Sequence, residues 1–229
     1  MKKYSVVLFD LDGTISDPKI GITKSVQYAL QKIGIVEEDL DQLETFIGPP
    51  LQVSFREIYG LDDVQIQQAI AYYRERFIQS GMYENKLYQN ISSLLESIQK
   101  DGYQLAIATS KPTVFAEQIL QYFNLEHFFD FVAGSNLDGT RSAKGEVIAF
   151  VREHFNEVSH DKFMMIGDRK YDIVGAHENQ IDSIGVTYGY GSLEELTDAQ
   201  ATYIVNSVNE LQELFNFFQY DAIMPVIID

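Results

Sequence analysis

The sequence predicts an α/β fold, a doubly wound parallel sheet whose first strand is followed by an inserted all-helical domain. Three observations predict it. Short apolar runs that do not alternate, at residues 5–9, 103–109 and 163–167, have the character of strands buried on both faces. Segments with apolar residues at helical spacing lie between them, and strands alternating with helices make a doubly wound sheet. One stretch, residues 18–88, breaks the alternation and carries a helical pattern only.

Taken in order, the first strand (Ser5, Val6, Val7, Leu8, Phe9) stops at Asp10 and Asp12, with Gly13 as a turn signal. Ile22, Val26, Ala29, Leu30 and Ile33 then form one helix face, which Gly34 is placed to end. Further helical segments are predicted over 38–46, 51–59 and 64–79, broken by Gly48-Pro49-Pro50 and Gly60, and no strand is predicted there. Ile91, Leu94, Leu95 and Ile98 make a helix face before the strand at 103–109. A helix at 113–123, a strand at 131–134, a helix at 146–154 and a strand at 163–167 follow, then short strands at 183–187 and 203–205. Both ends of the helical block leave the sheet together, which is the geometry of a lid. The expected boundaries are 1–17 and 88–229 for the Rossmann-like core and 18–87 for the cap. The tail at 215–229 is unusually apolar; core packing, a partner chain and poor order all remain open for it.

The chain carries 34 acidic and 17 basic side chains, for a formal net charge of -17. That field excludes nucleic acid and anionic membrane surfaces as partners. It also repels phosphate esters at range, so a phosphate site would need a metal, lysines and backbone N–H groups to reverse the potential locally. The absence of cysteine removes disulfides, thiol catalysis and thiolate metal sites. His127, His154, His160 and His177 show no ligand spacing. No apolar stretch approaches a membrane span or a signal peptide, so a cytoplasmic protein, monomer or homodimer, is expected.

Ligands in open parallel sheets bind at the carboxyl ends of strands, and four sets of polar residues fall there. Asp10-Leu11-Asp12-Gly13-Thr14 puts two carboxylates at a strand end, where one can ligate and attack while the other handles a proton. Thr109-Ser110-Lys111 offers hydroxyls and N–H groups to phosphoryl oxygens, although helix caps have the same composition. Lys144 precedes a helix, where the dipole disfavours a cation, so either an anionic ligand or carboxylate explains it or the lysine is solvated. Asp168 and Asp172, four apart after a strand, fit a Mg²⁺ ligand and a supporting carboxylate, although either residue taken singly also fits a helix cap or a surface acid one turn on.

The order of these sets, with a helical insert after the first, resembles the haloacid dehalogenase superfamily, whose core is Rossmann-like. FIGPPL at 46–51, ATSKP at 108–112, GSNLDGTR at 134–141 and IGDRKYD at 166–172 resemble more narrowly the phosphoglycolate phosphatase-like and 5′-nucleotidase-like branch with a helical cap. The resemblance implies a nucleophile at Asp10, a general acid/base at Asp12 whose backbone carbonyl ligates Mg²⁺, a phosphate-binding hydroxyl at Thr109, a cation at Lys144 and a metal ligand at Asp168. Asp172 takes the supporting acidic position. A small-molecule phosphate ester is the implied partner, with Ser110, Gly48 and Pro49 at its binding site and Arg56 a further candidate. A dehalogenase needs neither Asp12 nor a metal; a sugar phosphomutase shares the motifs and stays open. A phosphorelay receiver lacks the insert.

Overall fold

The computed structural model of the chain describes residues 3–223. Six parallel strands form one sheet: β1 (Val6–Phe9), β4 (Gln104–Pro112), β5 (Phe131–Ser135), β6 (Phe163–Gly167), β7 (Asp182–Val186) and β8 (Tyr203–Val205), in the order β5-β4-β1-β6-β7-β8. β1 lies between β4 and β6, with Phe9 in register with Ile107 on one side and Ile166 on the other. All four β1 side chains are fully buried. Val7 and Phe9 point into one apolar layer and Val6 and Leu8 into the other, so the run cannot alternate in polarity.

The first layer holds α4 (Ile91–Lys100), α5 (Thr113–Tyr122) and α9 (Val208–Ile223). The second holds α6 (Lys144–His154) and α7 (Lys170–Glu178). The chain builds outward through β4 and β5, then returns to the far side of β1 as β6. The strand order therefore reverses at β1, and a crevice opens beyond its carboxyl end.

The helical block comprises α1 (Lys19–Lys32), a 3₁₀ turn at Gln42–Phe46, α2 (Leu51–Tyr59), α3 (Asp63–Arg76) and a π turn at Phe77–Gly81. A two-stranded antiparallel ribbon ties its ends, β2 (Ser16–Asp17) to β3 (Lys86–Leu87). This strand at Lys86–Leu87 corrects the expectation of none between 18 and 88; two residues carry no readable alternation. The helix expected over 38–46 is only the 3₁₀ turn. Its buried pair Leu43 and Phe46 are three apart, a spacing that a 3₁₀ turn satisfies as well as a helix. α7 and the short α8 (Leu193–Asp198) had no strong apolar face to announce them.

Of the apolar tail, Phe215 and Phe218 pack on the core, edge-on to Tyr103 and Tyr4 at 5.4 and 5.1 Å. Residues 224–229 lie outside the described residues. Among those described, no helix is long and apolar enough to cross a membrane.

Candidate active site

Asp10 is the first residue past β1, and its N–H still donates to Ile166 O at 2.9 Å. Its carboxylate is almost wholly buried. Oδ1 accepts from the Leu11 N–H at 2.8 Å and lies 2.9 Å from Lys144 Nζ. The chain then turns tightly, with the Ile15 and Ser16 N–H groups both donating to Leu11 O. Gly13 sits at φ +85°, and a Cβ there would fall 2.2 Å from Asp168 Oδ2. Only glycine allows both that backbone conformation and that approach.

Asp168 follows β6. Its Oδ2 accepts from the Tyr190 N–H at 2.8 Å, and the Thr14 hydroxyl donates to Oδ1 at 3.4 Å. Asp172 lies one turn on in α7, accepting from the Arg169 N–H at 3.0 Å and pairing with Lys144 Nζ at 2.8 Å. Lys144 opens α6 and also donates to Ala108 O at 3.0 Å. The cation that the helix dipole disfavours is thus held by Asp10 and Asp172. Burial alone would push its ammonium down, but the two carboxylates outweigh burial and its pKa rises. Burial, with Asp172 and Asp10 adding to it, holds Asp168 well above the usual carboxylate range. Burial raises Asp172 to about 6 against the pull of Lys144.

One oxygen from each of Asp10, Asp168 and Asp172 lies within 4.8 Å of the others, all three buried. Lys144 pairs with Asp10 and Asp172 but not with Asp168, so three acidic groups share one ammonium. An all-oxygen donor set with that excess fits a hard divalent cation such as Mg²⁺.

Asp12 faces the other way along the turn. Its Oδ2 pairs with Lys111 Nζ at 2.7 Å, while Oδ1 is buried with no hydrogen-bond partner among the described residues. Burial raises its pKa and Lys111 opposes the rise. Lys111 Nζ also stands 4.7 Å over the ring of Phe77, from the helical block. Thr109 is buried, and its hydroxyl accepts from the Lys111 N–H at 3.3 Å. Neither Thr109 nor Ser110 caps a helix, because β4 runs on to Pro112, which precedes α5. Asp168 is no cap either, since Arg169 holds that position in α7.

Above these residues lies a cleft between sheet edge and helical block. Asp10, Asp12, Thr109, Ser110, Gly48 and Pro49 all line it. Arg56 does not. It points out of α2 and pairs with Asp63, because α2 turns Ser54 and Phe55 inward instead. Arg74 of α3 lines the cleft in its place, together with Gln52, Asn136 and Ser142; Ile22, Phe46, Ile70, Tyr73, Phe77 and Phe115 form an apolar wall. The sequence patterns assign no role to Lys111, although it follows Thr109 and Ser110 directly, nor to Arg74, Tyr73 or Arg169. Nothing in the sequence of α3 distinguishes Arg74, which lines the cleft, from Arg76, which does not.

The raised carboxylates predict how metal-free stability depends on pH. An acid whose folded pKa exceeds its unfolded value costs nothing below about pH 4, where both states hold the proton. The cost grows as pH rises toward the folded value, about 6 for Asp172, and is complete above it. Mg²⁺ should therefore raise the melting temperature more at pH 8 than at pH 5. Thermal melts with and without Mg²⁺ check this, and equal shifts at both pH values would remove the carboxylate cluster as the metal site.

The haloacid dehalogenase-like hydrolase family model matches residues 7–186, and the chain belongs to that family. A 5′-nucleotidase of Pseudomonas aeruginosa is 44% identical over 212 residues, covering 93% of this chain and 96% of the relative. The tyrosine-protein kinase PtkA of Mycobacterium tuberculosis is 33% identical over 210 residues, 91% of this chain and 71% of that one. A crystal structure of a "predicted phosphatase" from Clostridium acetobutylicum superposes with a TM-score of 0.90 at 52% identity, covering 93% of this chain and 98% of the other. The protein is a phosphoric monoester hydrolase of that family.

Proposed function

We propose that this hydrolase is a Mg²⁺-dependent phosphatase that cleaves small phosphate monoesters through an aspartyl-phosphate on Asp10. The observation that carries the proposal is the convergence of Asp10, Lys144, Asp168 and Asp172 at one sheet edge, beneath a cleft that the helical block covers. Asp10 attacks phosphorus while the bond to the ester oxygen breaks. Asp12, beside the cleft and raised by burial, gives its proton to the leaving oxygen. It then takes a proton from the water that opens the aspartyl-phosphate, releasing inorganic phosphate and restoring Asp10. Lys144 and the Thr109 hydroxyl stabilise charge on the phosphoryl oxygens. Asp10, Asp168 and the Asp12 carbonyl would hold Mg²⁺, with Asp172 supporting, and the ion when bound neutralises charge on the transferring group.

The cap reading of residues 18–87 belongs to this proposal, as do the cytoplasm and a free small-molecule substrate. The aromatic and aliphatic wall supports a nucleoside monophosphate over phosphoglycolate. A two-carbon acid would leave Phe46, Tyr73 and Phe77 uncovered and would meet only Arg74 as a cation from the cap side of the cleft. The 5′-nucleotidase relative supports the same choice.

Activity on a nucleoside 5′-monophosphate is expected to exceed that on phosphoglycolate by about tenfold or more in kcat/KM, since burying one ring recovers 1–3 kcal/mol. The reverse order overturns the substrate reading. Turnover is expected to vanish in chelator and not to return with Ca²⁺, which takes more oxygens at longer distance. Full activity in chelator would end the metal assignment. Phosphate release measured beside phosphoryl transfer to an added sugar phosphate separates hydrolysis from mutase chemistry.

A further inference from the structure

We infer that Arg169 is a positioning residue that seats the cap loop over the phosphoryl site. Arg169 comes immediately after Asp168, yet it turns away from the carboxylates and toward the helical block. Its Nη1 donates to the Ile47 carbonyl at 2.7 Å, and its Nε pairs with Glu195 Oε1 at 2.9 Å. The same Glu195 oxygen accepts from the Lys170 N–H at 2.8 Å, and the Ser192 hydroxyl accepts from the Glu195 N–H at 3.0 Å, so the carboxylate that orients Arg169 is itself fixed. The guanidinium is thereby held between the core and one carbonyl of the cap.

The cap loop is shaped for this contact. Gly48 takes φ +108°, and a Cβ there would lie 2.9 Å from Arg169 Cγ, so the loop lies directly on the arginine stem. Gly48 and Pro49 then line the cleft. On the opposite side the cap has a second tie, from Arg74 Nη2 to Leu137 O at 2.8 Å. Arg169 is the tie that connects to the chemistry. Its own N–H donates to Asp172 Oδ2, and Asp172 and Asp10 share Lys144. A shift of the loop is thus opposed by groups in contact with the proposed nucleophile. A closed lid excludes water and commits the substrate, and here the closing contact is a charged hydrogen bond to a backbone carbonyl that needs no particular cap side chain.

The inference rests on the phosphatase proposal for its kinetics but not for its structural readout. Arg169→Ala is expected to speed amide hydrogen exchange in peptides spanning residues 42–50 at least fivefold, with no substrate or metal present. KM for a nucleoside monophosphate should rise about tenfold while kcat stays within about threefold. Arg169→Lys, which can reach Ile47 O or Glu195 but not fork between them, should recover part of both effects. Gly48→Ala disturbs the same contact from the cap side and should speed exchange in the same peptides; it decides the matter if Arg169→Ala does not fold. Unchanged exchange in both variants overturns the inference. So does a loss of kcat at unchanged KM, which would place Arg169 in the chemistry. Altered exchange in a protein with no phosphatase activity would sustain the latch and reject the phosphatase proposal.

Discussion

Asp10→Asn is expected to abolish the phosphoenzyme with every substrate and to lower turnover by on the order of 10⁴-fold or more, the scale on which removal of a nucleophile acts. The amide keeps the shape and the neighbours of the carboxylate, which accepts from the Leu11 N–H and faces Lys144, so the loss will be chemical and not a failure to fold. Asp12→Ala should behave differently. It removes the proposed acid and base but leaves Asp10 in place and frees Lys111, which holds Asp12 at 2.7 Å. An alkyl phosphate has a poor leaving group, so its first step should stop. An activated aryl or acyl phosphate needs little protonation and should still phosphorylate Asp10. Hydrolysis of that intermediate then lacks a base, and phosphoenzyme should accumulate. Rapid quench with mass spectrometry locates the phosphate. A label elsewhere, or identical defects in the two variants with every leaving group, would end the division of roles between them.

Lys144→Met is expected to lose both activity and stability. Lys144 is 3% exposed, between Asp10 and Asp172 at 2.9 and 2.8 Å. Its removal leaves buried carboxylates without their counter-ion, a change that costs on the order of 3–5 kcal/mol. Activity should fall about 10²- to 10³-fold if, as proposed, Lys144 is a fixed donor at the developing charge. The destabilisation should be largest near pH 8 and smaller near pH 5, where the raised carboxylates take up protons instead. Adding Asp172→Asn to Lys144→Met removes one uncompensated charge. The double variant should regain part of the melting temperature while activity stays low, because the two residues are in contact and their effects do not add. A Lys144→Met protein as stable as the parent at pH 8 would show that the triad does not carry the charge balance described for it.

The elements that depend on local pattern were legible in the sequence. The β1 and β6 runs, the α2 helix at Leu51–Tyr59 and the stop of α1 before Gly34 follow from burial on two faces, helical spacing and backbone conformation. These are properties of neighbouring residues. The strand-end rule then marked Asp10, Asp12, Thr109, Lys144 and Asp168 as candidates, because a parallel sheet brings the ends of its strands together whatever the details of packing. The sequence by itself therefore determined the sheet, the insert and the polar residues that face one another across it.

What joins those residues was decided only by tertiary structure. Lys144 could have been solvated, and its pairing with Asp10 and Asp172 depends on how α6 and α7 meet under the sheet edge. Lys111 reaching Asp12, Arg74 rather than Arg56 lining the cleft, and Arg169 reaching Ile47 across 122 residues all depend on where the insert rests on the core. Hydrophobic periodicity reports which face of a helix is buried, and it cannot report which distant element buries it. A long polar side chain on the rim of that face can turn to either neighbour, and the choice is made by the charges and carbonyls that packing places within its reach.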